Sequence, residues 1–259
     1  MRRLLAKSAQ IIGHFIAPSN RLLETMAADT MERGGFIVHT TRLPHADAQV
    51  LNVQKLAFIY QDDTLLVLDK AAGMLAVPGR GVDKQDCLAT RVQAEFPDAL
   101  VVHRLDMATS GLILFARGAV MQSRLSQMFR EREVDKNYVA VVAGKLESAC
   151  GEIDLPLSRD WPNRPKQRVN FAEGKSALTR YRLLSIDEEK NSSRIELEPV
   201  TGRTHQLRVH LAAIAHPILG DALYGDASGA PRLLLHACRL SFVHPMKGEL
   251  LTCTSEAKF

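Results

Sequence analysis

The chain has 259 residues, 46% hydrophobic and 24% charged, which is enough for one sizeable core or two small ones and too apolar for a chain disordered throughout. Its longest apolar runs, such as Leu65 to Leu68, fall far short of the ~20 residues of a helical membrane span, so that class is excluded. The net charge of +4 is modest, but where basic residues are gathered it admits a polyanionic partner.

Residues 1–52 form a basic, weakly amphipathic start, with Arg2, Arg3 and Lys7 and no acid before Glu24, interrupted by Gly34-Gly35 and Pro44. An organelle-type presequence and an over-long leader ahead of Met26 or Met31 both fit this composition. The expectation is an N-terminal extension over 1–52, unspecialised or disordered, ahead of a domain at 53–259. The four cysteines, Cys87, Cys150, Cys238 and Cys253, form no CxxC pair and have no histidine at zinc-ligand spacing. They read as reduced thiols, with no structural metal.

From Leu56 the pattern sharpens. Phe58-Ile59-Tyr60 and Leu65 to Leu68, separated by an Asp62-Asp63 turn, read as two strands. Cys87 to Phe96 reads as a helix ended by Pro97. Leu112 to Ala116 is a continuous apolar run of strand length, with Val101-Val102 a shorter piece upstream. Between them lies a polar loop with one carboxylate, Asp106, followed by the turn formers Thr109, Ser110 and Gly111. On chemistry alone Asp106 is either a catalytic group held on a rigid scaffold or a turn cap.

Met121, Leu125, Met128 and Phe129 recur at helical spacing and predict one buried face. Tyr138–Val142, Ala177–Ile186 and Ser193–Leu197 are β-rich, and Pro156, Pro162 and Pro165 predict a long surface loop between the first two. Gln206–Ile214 reads as a helix with Leu207, Leu211 and Ile214 on one face. Strands near Leu233–Leu235 and Arg239–Val243 complete the set. Strands outnumber helices without regular alternation, which predicts an α+β fold with a mostly antiparallel sheet. Basic residues gather near the motifs: Arg130, Arg132 and Lys136, then Arg159, Arg164, Lys166 and Arg168 around Trp161, then Arg203 and Arg208.

Several of these segments together resemble one family. His103-Arg104-Leu105-Asp106 through Ala116 resembles the HRLDxxTSGLLLFA motif of the RluA-type pseudouridine synthases. Lys136-Asn137-Tyr138-Val139-Ala140 is similar to that family's KxYxA strand, and Thr201 to His210 to its GRTHQLRVH segment. His216 to Asp221 and Leu233 to Ala237 also match, so the likeness covers roughly residues 56–259. Asp69 to Gly73 is similar to the NKPxG loop but departs from it at Asp69 and Ala71, and Ala215 stands where the family usually has glycine.

The resemblance implies a curved mixed sheet with flanking helices and an active cleft across it. It implies an RNA pseudouridine synthase that breaks the N1–C1′ bond of uridine and rejoins the base through C5, with no net redox and no cofactor or metal. By the same likeness Asp106 is the essential carboxylate, acting at C1′ or on a sugar proton, and Arg203 is the cation that keeps it ionised. Tyr138 is the residue that stacks on uracil and relays the C5 proton, although on the residues alone a strand tyrosine also fits core packing. Leu207 is implied as an apolar wall and Arg104 as the side chain that fills the space left by a flipped base.

The segment from Phe129 to Glu133, with Asp160 to Gln167, is most similar to the branch that modifies both a tRNA anticodon stem-loop and a large-subunit 23S ribosomal RNA hairpin. Those RNAs are the implied partners, in the cytoplasm, with no membrane and no obligate protein partner. Trp161, Arg164 and Lys166 then read as an RNA-backbone clamp, with Trp161 alternatively a core anchor. His103, His205 and His210 are read as hydrogen-bonding structural groups or RNA contacts. A glycoside or nucleoside hydrolase would need a second carboxylate at roughly 5 to 9.5 Å, and neither 136–140 nor 201–210 supplies one. A non-catalytic RNA-binding module would have no use for Asp106, Tyr138 and Arg203 together.

Overall fold

The computed structural model describes residues 55–259; the expectations for the leader at 1–52 lie outside the described residues. The strands follow from the apolar runs. β1 (Phe58–Gln61) turns at Asp62 into β2 (Leu65–Lys70), which lies antiparallel to β4 (Ser110–Arg117) with Leu65 opposite Ala116 and Lys70 opposite Gly111. β2 and β4 are apolar at successive positions because both of their faces are covered. On one side Leu66, Leu68, Ile113 and Phe115 pack on Leu88, Ala89 and Val92 of α1 (Leu88–Glu95). On the other, Leu65, Val67, Leu112, Leu114 and Ala116 pack on Met121 and Leu125 of α2 (Ala119–Glu131). Each such fully buried Leu, Ile or Phe contributes about 1.5–3 kcal/mol.

β3 (Ala99–Val101) pairs with β4. The second half of the sheet holds β5 (Asp135–Ala143), β6 (Cys150–Asp154), β9 (Leu178–Asp187), β10 (Ser192–Pro199), β11 (Leu235–Val243) and β12 (Leu250–Thr254). The order is β1-β2-β4-β11-β5-β10-β9-β6, with β12 against β11. Every pairing is antiparallel except β4 with β11, so the mixed, mostly antiparallel open sheet expected from the sequence is the one observed. Gly111 permits that parallel contact: its φ is 110°, and a Cβ there would stand 2.3 Å from the Ala237 carbonyl oxygen. Leu207 and Leu211 of α3 (Gln206–Ala213) close a third cluster on Ala140, Val142, Ile195 and Leu197.

Two sequence expectations are corrected. The segment around Pro156 to Pro165 is not one long loop: β7 (Leu157–Arg159) and β8 (Gln167–Val169) pair as a hairpin whose tip spans residues 160–166. The prolines fall at the tip or just outside the ladder, where no N–H is missed. Leu233–Leu235 and Arg239–Val243 are not separate strands, since β11 begins at Leu235 and runs unbroken to Val243, with an irregularity between Ala237 and Arg239.

Candidate active site

A cleft of about 690 Å³ opens where the loop before β4, strand β5 and the start of α3 meet. Its lining includes six basic side chains, Arg104, Arg130, Arg132, Lys136, Arg203 and Arg208, and one acidic one, Asp106. A lone carboxylate among cations suits a phosphate-bearing substrate.

The Asp106 loop is tied down from below. Gly73 N–H donates to the Met107 carbonyl at 2.8 Å, and Thr109 N–H to the Asp106 carbonyl at 3.1 Å. Beneath them lies Lys70, only 1% exposed, whose Nζ donates to the carbonyls of Ala71, Met74 and Met107 at 2.8–3.1 Å. Burial pulls this ammonium down to about 8, against the opposing charges of Asp106 and Asp69. Lys70 thus braces the loop at Ala71, where the sequence lacks a stiffening proline.

The Asp106 carboxylate is partly exposed and meets two groups from the α3 segment. Arg208 Nη1 donates to Oδ2 at 3.1 Å, and His205 Nε2 lies 3.7 Å from the same oxygen. Arg208 is itself fixed by Asp221, to which Nε and Nη2 donate at 2.8 and 2.7 Å. Burial would raise the fully buried Asp221 carboxyl, but the Arg208 guanidinium and the N–H groups of Leu223 and Tyr224 hold it below the usual carboxylate range. Burial would likewise lower Arg208; the carboxylates of Asp221 and Asp106 outweigh it and raise it.

The expected Asp106–Arg203 pair is therefore not the one present. Arg203 precedes α3, its Nε donates to the Ser176 carbonyl at 3.1 Å, and its backbone N–H is held by Gln206 Oε1 at 2.9 Å. It lines the cleft, but the guanidinium on Asp106 is that of Arg208, carried inward by the first turn of α3.

Tyr138 on β5 sits opposite Ala237 and Leu197 and lines the cleft at the meeting point of two core clusters. Burial, followed by the nearby Asp106 charge, pushes its phenol up, so it stands in the cleft as a neutral hydroxyl. Leu207, 7% exposed, forms apolar wall, and Arg104 is exposed at the rim two residues before Asp106.

The residue pattern matches known proteins over most of its length. Residues 64–213 match the family described as RNA pseudouridylate synthase. The chain is 48% identical over 207 residues to the dual-specificity RNA pseudouridine synthase RluA of Escherichia coli (strain K12), covering 79% of this chain and 94% of that protein. It is 49% identical over 204 residues to the RluA of Yersinia pestis, covering 78% and 98%. Among solved structures it is similar to human RNA pseudouridylate synthase domain containing 1, with a TM-score of 0.64, 29% identity, and 78% and 84% of the two chains covered. The chain belongs to the RNA pseudouridine synthase family.

In this pseudouridine synthase the remaining expected site residues lie outside the cleft lining. Trp161 is 58% exposed at the hairpin tip, which settles it as a surface group and not a core anchor. The guanidiniums of Arg159 and Arg164 lie over its ring at 4.8 and 4.4 Å. Lys166 closes the tip, its carbonyl accepting from Asp160 N–H at 3.0 Å.

All three histidines have structural partners, His205 Nδ1 lying 2.6 Å from the Tyr224 hydroxyl. His103 Nε2 accepts from Leu114 N–H at 3.0 Å and its ring stacks on Phe129, while burial, aided by the Lys136 charge, pulls it down to about 3. His210 bridges Thr179 Oγ1 and the Leu155 carbonyl.

The synthase site also holds residues that sequence reasoning missed in their roles: Arg208, Asp221, Lys70 and the pair His205 and Tyr224. A signal for Arg208 existed. It follows Leu207 on the helix whose apolar face was recognised, so it flanks that face at the cleft edge.

Proposed function

We propose that this enzyme isomerises uridines in structured RNA hairpins, foremost the tRNA anticodon stem-loop and a 23S ribosomal RNA hairpin, in the cytoplasm, with Asp106 as the carboxylate that acts at the ribose. The observation that carries the reading is the placement of Asp106 as the single acid in a cationic cleft, ion-paired to Arg208, with Tyr138 and Leu207 walling the space beside it. The N1–C1′ bond breaks with its electron pair leaving on uracil. The base turns within the walls, C5 bonds to C1′, and the C5 proton passes by way of Tyr138 while N1 takes one up, so no atom or electron is gained or lost. Arg208 orients the carboxylate through its Nη1–H to Oδ2 hydrogen bond. Leu207 keeps water from the opened sugar.

A uridine within a hairpin must leave its stack to reach Asp106, and Arg104 is placed to fill the gap. Arg130, Arg132, Lys136 and Arg203 line the path as phosphate contacts, with Trp161, Arg164 and Lys166 gripping the backbone further out. The chemistry has no net redox and calls on no cofactor. The test is a pseudouridine map of tRNA and ribosomal RNA from a strain lacking the gene. Loss of pseudouridine from an anticodon loop and from a 23S hairpin is the expected result. Loss from ribosomal RNA alone would restrict the substrate to that class, and loss from neither would overturn the assignment.

A further inference from the structure

The hairpin tip and the reacting carboxylate are linked by a chain of groups whose direction is set by donor counting. Gln167, the first residue of β8, donates its backbone N–H to the Tyr224 hydroxyl oxygen at 2.7 Å. The same oxygen lies 2.6 Å from His205 Nδ1. A backbone N–H can only donate, so the phenol hydrogen is free to point at Nδ1, which then accepts. In the neutral ring the proton sits on Nε2, the nitrogen 3.7 Å from Asp106 Oδ2. Burial favours that neutral ring by pulling His205 down, against Asp106 and with Arg208.

Three further features single out this chain of contacts. His205 has left-handed backbone, φ 54°, an uncommon state for a residue other than glycine, and Gln206 locks it in place with hydrogen bonds to Thr201, Arg203, Leu178 and Thr179. The Tyr224 ring packs with Leu157, Val169 and Val209, which seat the hairpin on α3, and stands edge-on to His205. Arg208 and His205 both address Oδ2, which leaves Oδ1 free of hydrogen bonds among the described residues and available to the ribose.

We propose that Tyr224 and His205 are positioning residues that couple RNA seated on the 157–169 hairpin to Asp106: pressing the hairpin home moves the already closed Gln167–Tyr224–His205 chain as a unit and brings the His205 Nε2–H onto Oδ2. The 3.7 Å gap is one that a small shift of the hairpin closes. This rests on the reading of Asp106 as the reacting carboxylate and of the hairpin as an RNA contact. The chain acts on the rate of the bound complex through Asp106, and the hydroxyl of Tyr224 is spent on Gln167 and His205.

The test is tritium release from a 5-tritiated uridine hairpin by the full chain, with kcat and KM measured for Tyr224→Phe, Trp161→Ala and the double variant. Tyr224→Phe keeps the ring and loses only the hydroxyl. It should lower kcat about tenfold with KM within twofold of wild type. Trp161→Ala should raise KM and lower kcat in the wild-type background, but only raise KM in the Tyr224→Phe background. His205→Asn tolerates the left-handed backbone and should reproduce the kcat loss, without adding to that of Tyr224→Phe; it carries the test alone if the tyrosine variant does not fold. Wild-type kcat in Tyr224→Phe or His205→Asn, or losses that multiply in the double variants, would overturn the coupling. Asp106→Asn in the same assay separates the two readings: turnover by that variant removes the premise, whereas an inactive Asp106→Asn beside a normal Tyr224→Phe removes only the coupling.

Discussion

Arg208 grips Asp221 through two parallel hydrogen bonds, 2.8 Å from Nε and 2.7 Å from Nη2, and so has one nitrogen, Nη1, to offer Asp106. Asp221 is fully buried, so this pair is a fixed bracket and not a surface ion pair. Asp221→Asn leaves the buried guanidinium with only the partly exposed Asp106 as counter-charge, and should destabilise the fold by about 3–5 kcal/mol, read as a lower urea midpoint. Arg208→Lys keeps a charge but cannot make the fork and reach Asp106 together, and should lower kcat on the order of 10²-fold. A wild-type urea midpoint for Asp221→Asn, or a wild-type kcat for Arg208→Lys, would count against the bracket.

The end of α3 stores strain that one substitution should release. Ala215 has φ 63°, its N–H donates to Ala212 and that of His216 to the Leu211 carbonyl, which is the paired closure that glycine usually provides. The left-handed state costs alanine roughly 1–2 kcal/mol, part of which glycine returns as unfolded-chain entropy. Ala215→Gly should raise stability by about 0.5–1 kcal/mol, visible as a Tm a few degrees higher with kcat unchanged. A lower Tm would show that the position is not strained.

Much of this architecture was legible in the residues because it obeys short-range rules. Cys87 and Pro97 bounded α1 correctly, the helical spacing of Met121 and Leu125 announced the buried face of α2, and the apolar runs of β2 and β4 read as strands. The hairpin β7–β8 was hidden because its strands are three residues each and flanked by prolines, too short for alternation to register. The motif singled out Asp106, which lines the cleft, but not the guanidinium that pairs with it. Arg203 and Arg208 are five positions apart in one segment, and only the helix start at Gln206 decides which guanidinium turns inward. Asp221 and Tyr224 reach the site by long-range packing, and no local spacing announces them.

Acid should weaken the protein in a defined window. Burial pulls His103 down to about 3, and it also depresses His205, His210 and His236. Below about pH 6.5 the unfolded chain takes up protons that the folded histidines refuse, so stability falls as pH drops from 6.5 toward 3 and is fully present above 6.5. For His103 the loss by pH 5 should be on the order of 1–2 kcal/mol. Urea unfolding at pH 7.5 and 5.0 checks it: His103→Gln should show a smaller drop between the two than wild type. An equal drop would mean that His103 is protonated in the fold.

Arg104 and the hairpin cations should separate by substrate. If Arg104 fills the space of the extruded base, Arg104→Ala removes stacking worth about 1–3 kcal/mol. Its loss in kcat/KM should be larger on a hairpin than on an unstructured oligonucleotide of the same loop sequence, where little unstacking is needed. Arg164→Ala and Lys166→Ala should weaken both substrates alike and flatten the salt dependence. Equal losses for Arg104→Ala on the two substrates would show that it only positions RNA.

The most direct measurement of the whole account is tritium release from a 5-tritiated hairpin by purified Asp106→Asn, set beside its RNA affinity. Asparagine keeps the shape but offers Arg208 no charge and the ribose no carboxylate, while the phosphate contacts of the cleft remain. The account predicts no detectable release, with Kd within about tenfold, or ~1.4 kcal/mol, of wild type. Multiple turnover by Asp106→Asn would contradict it.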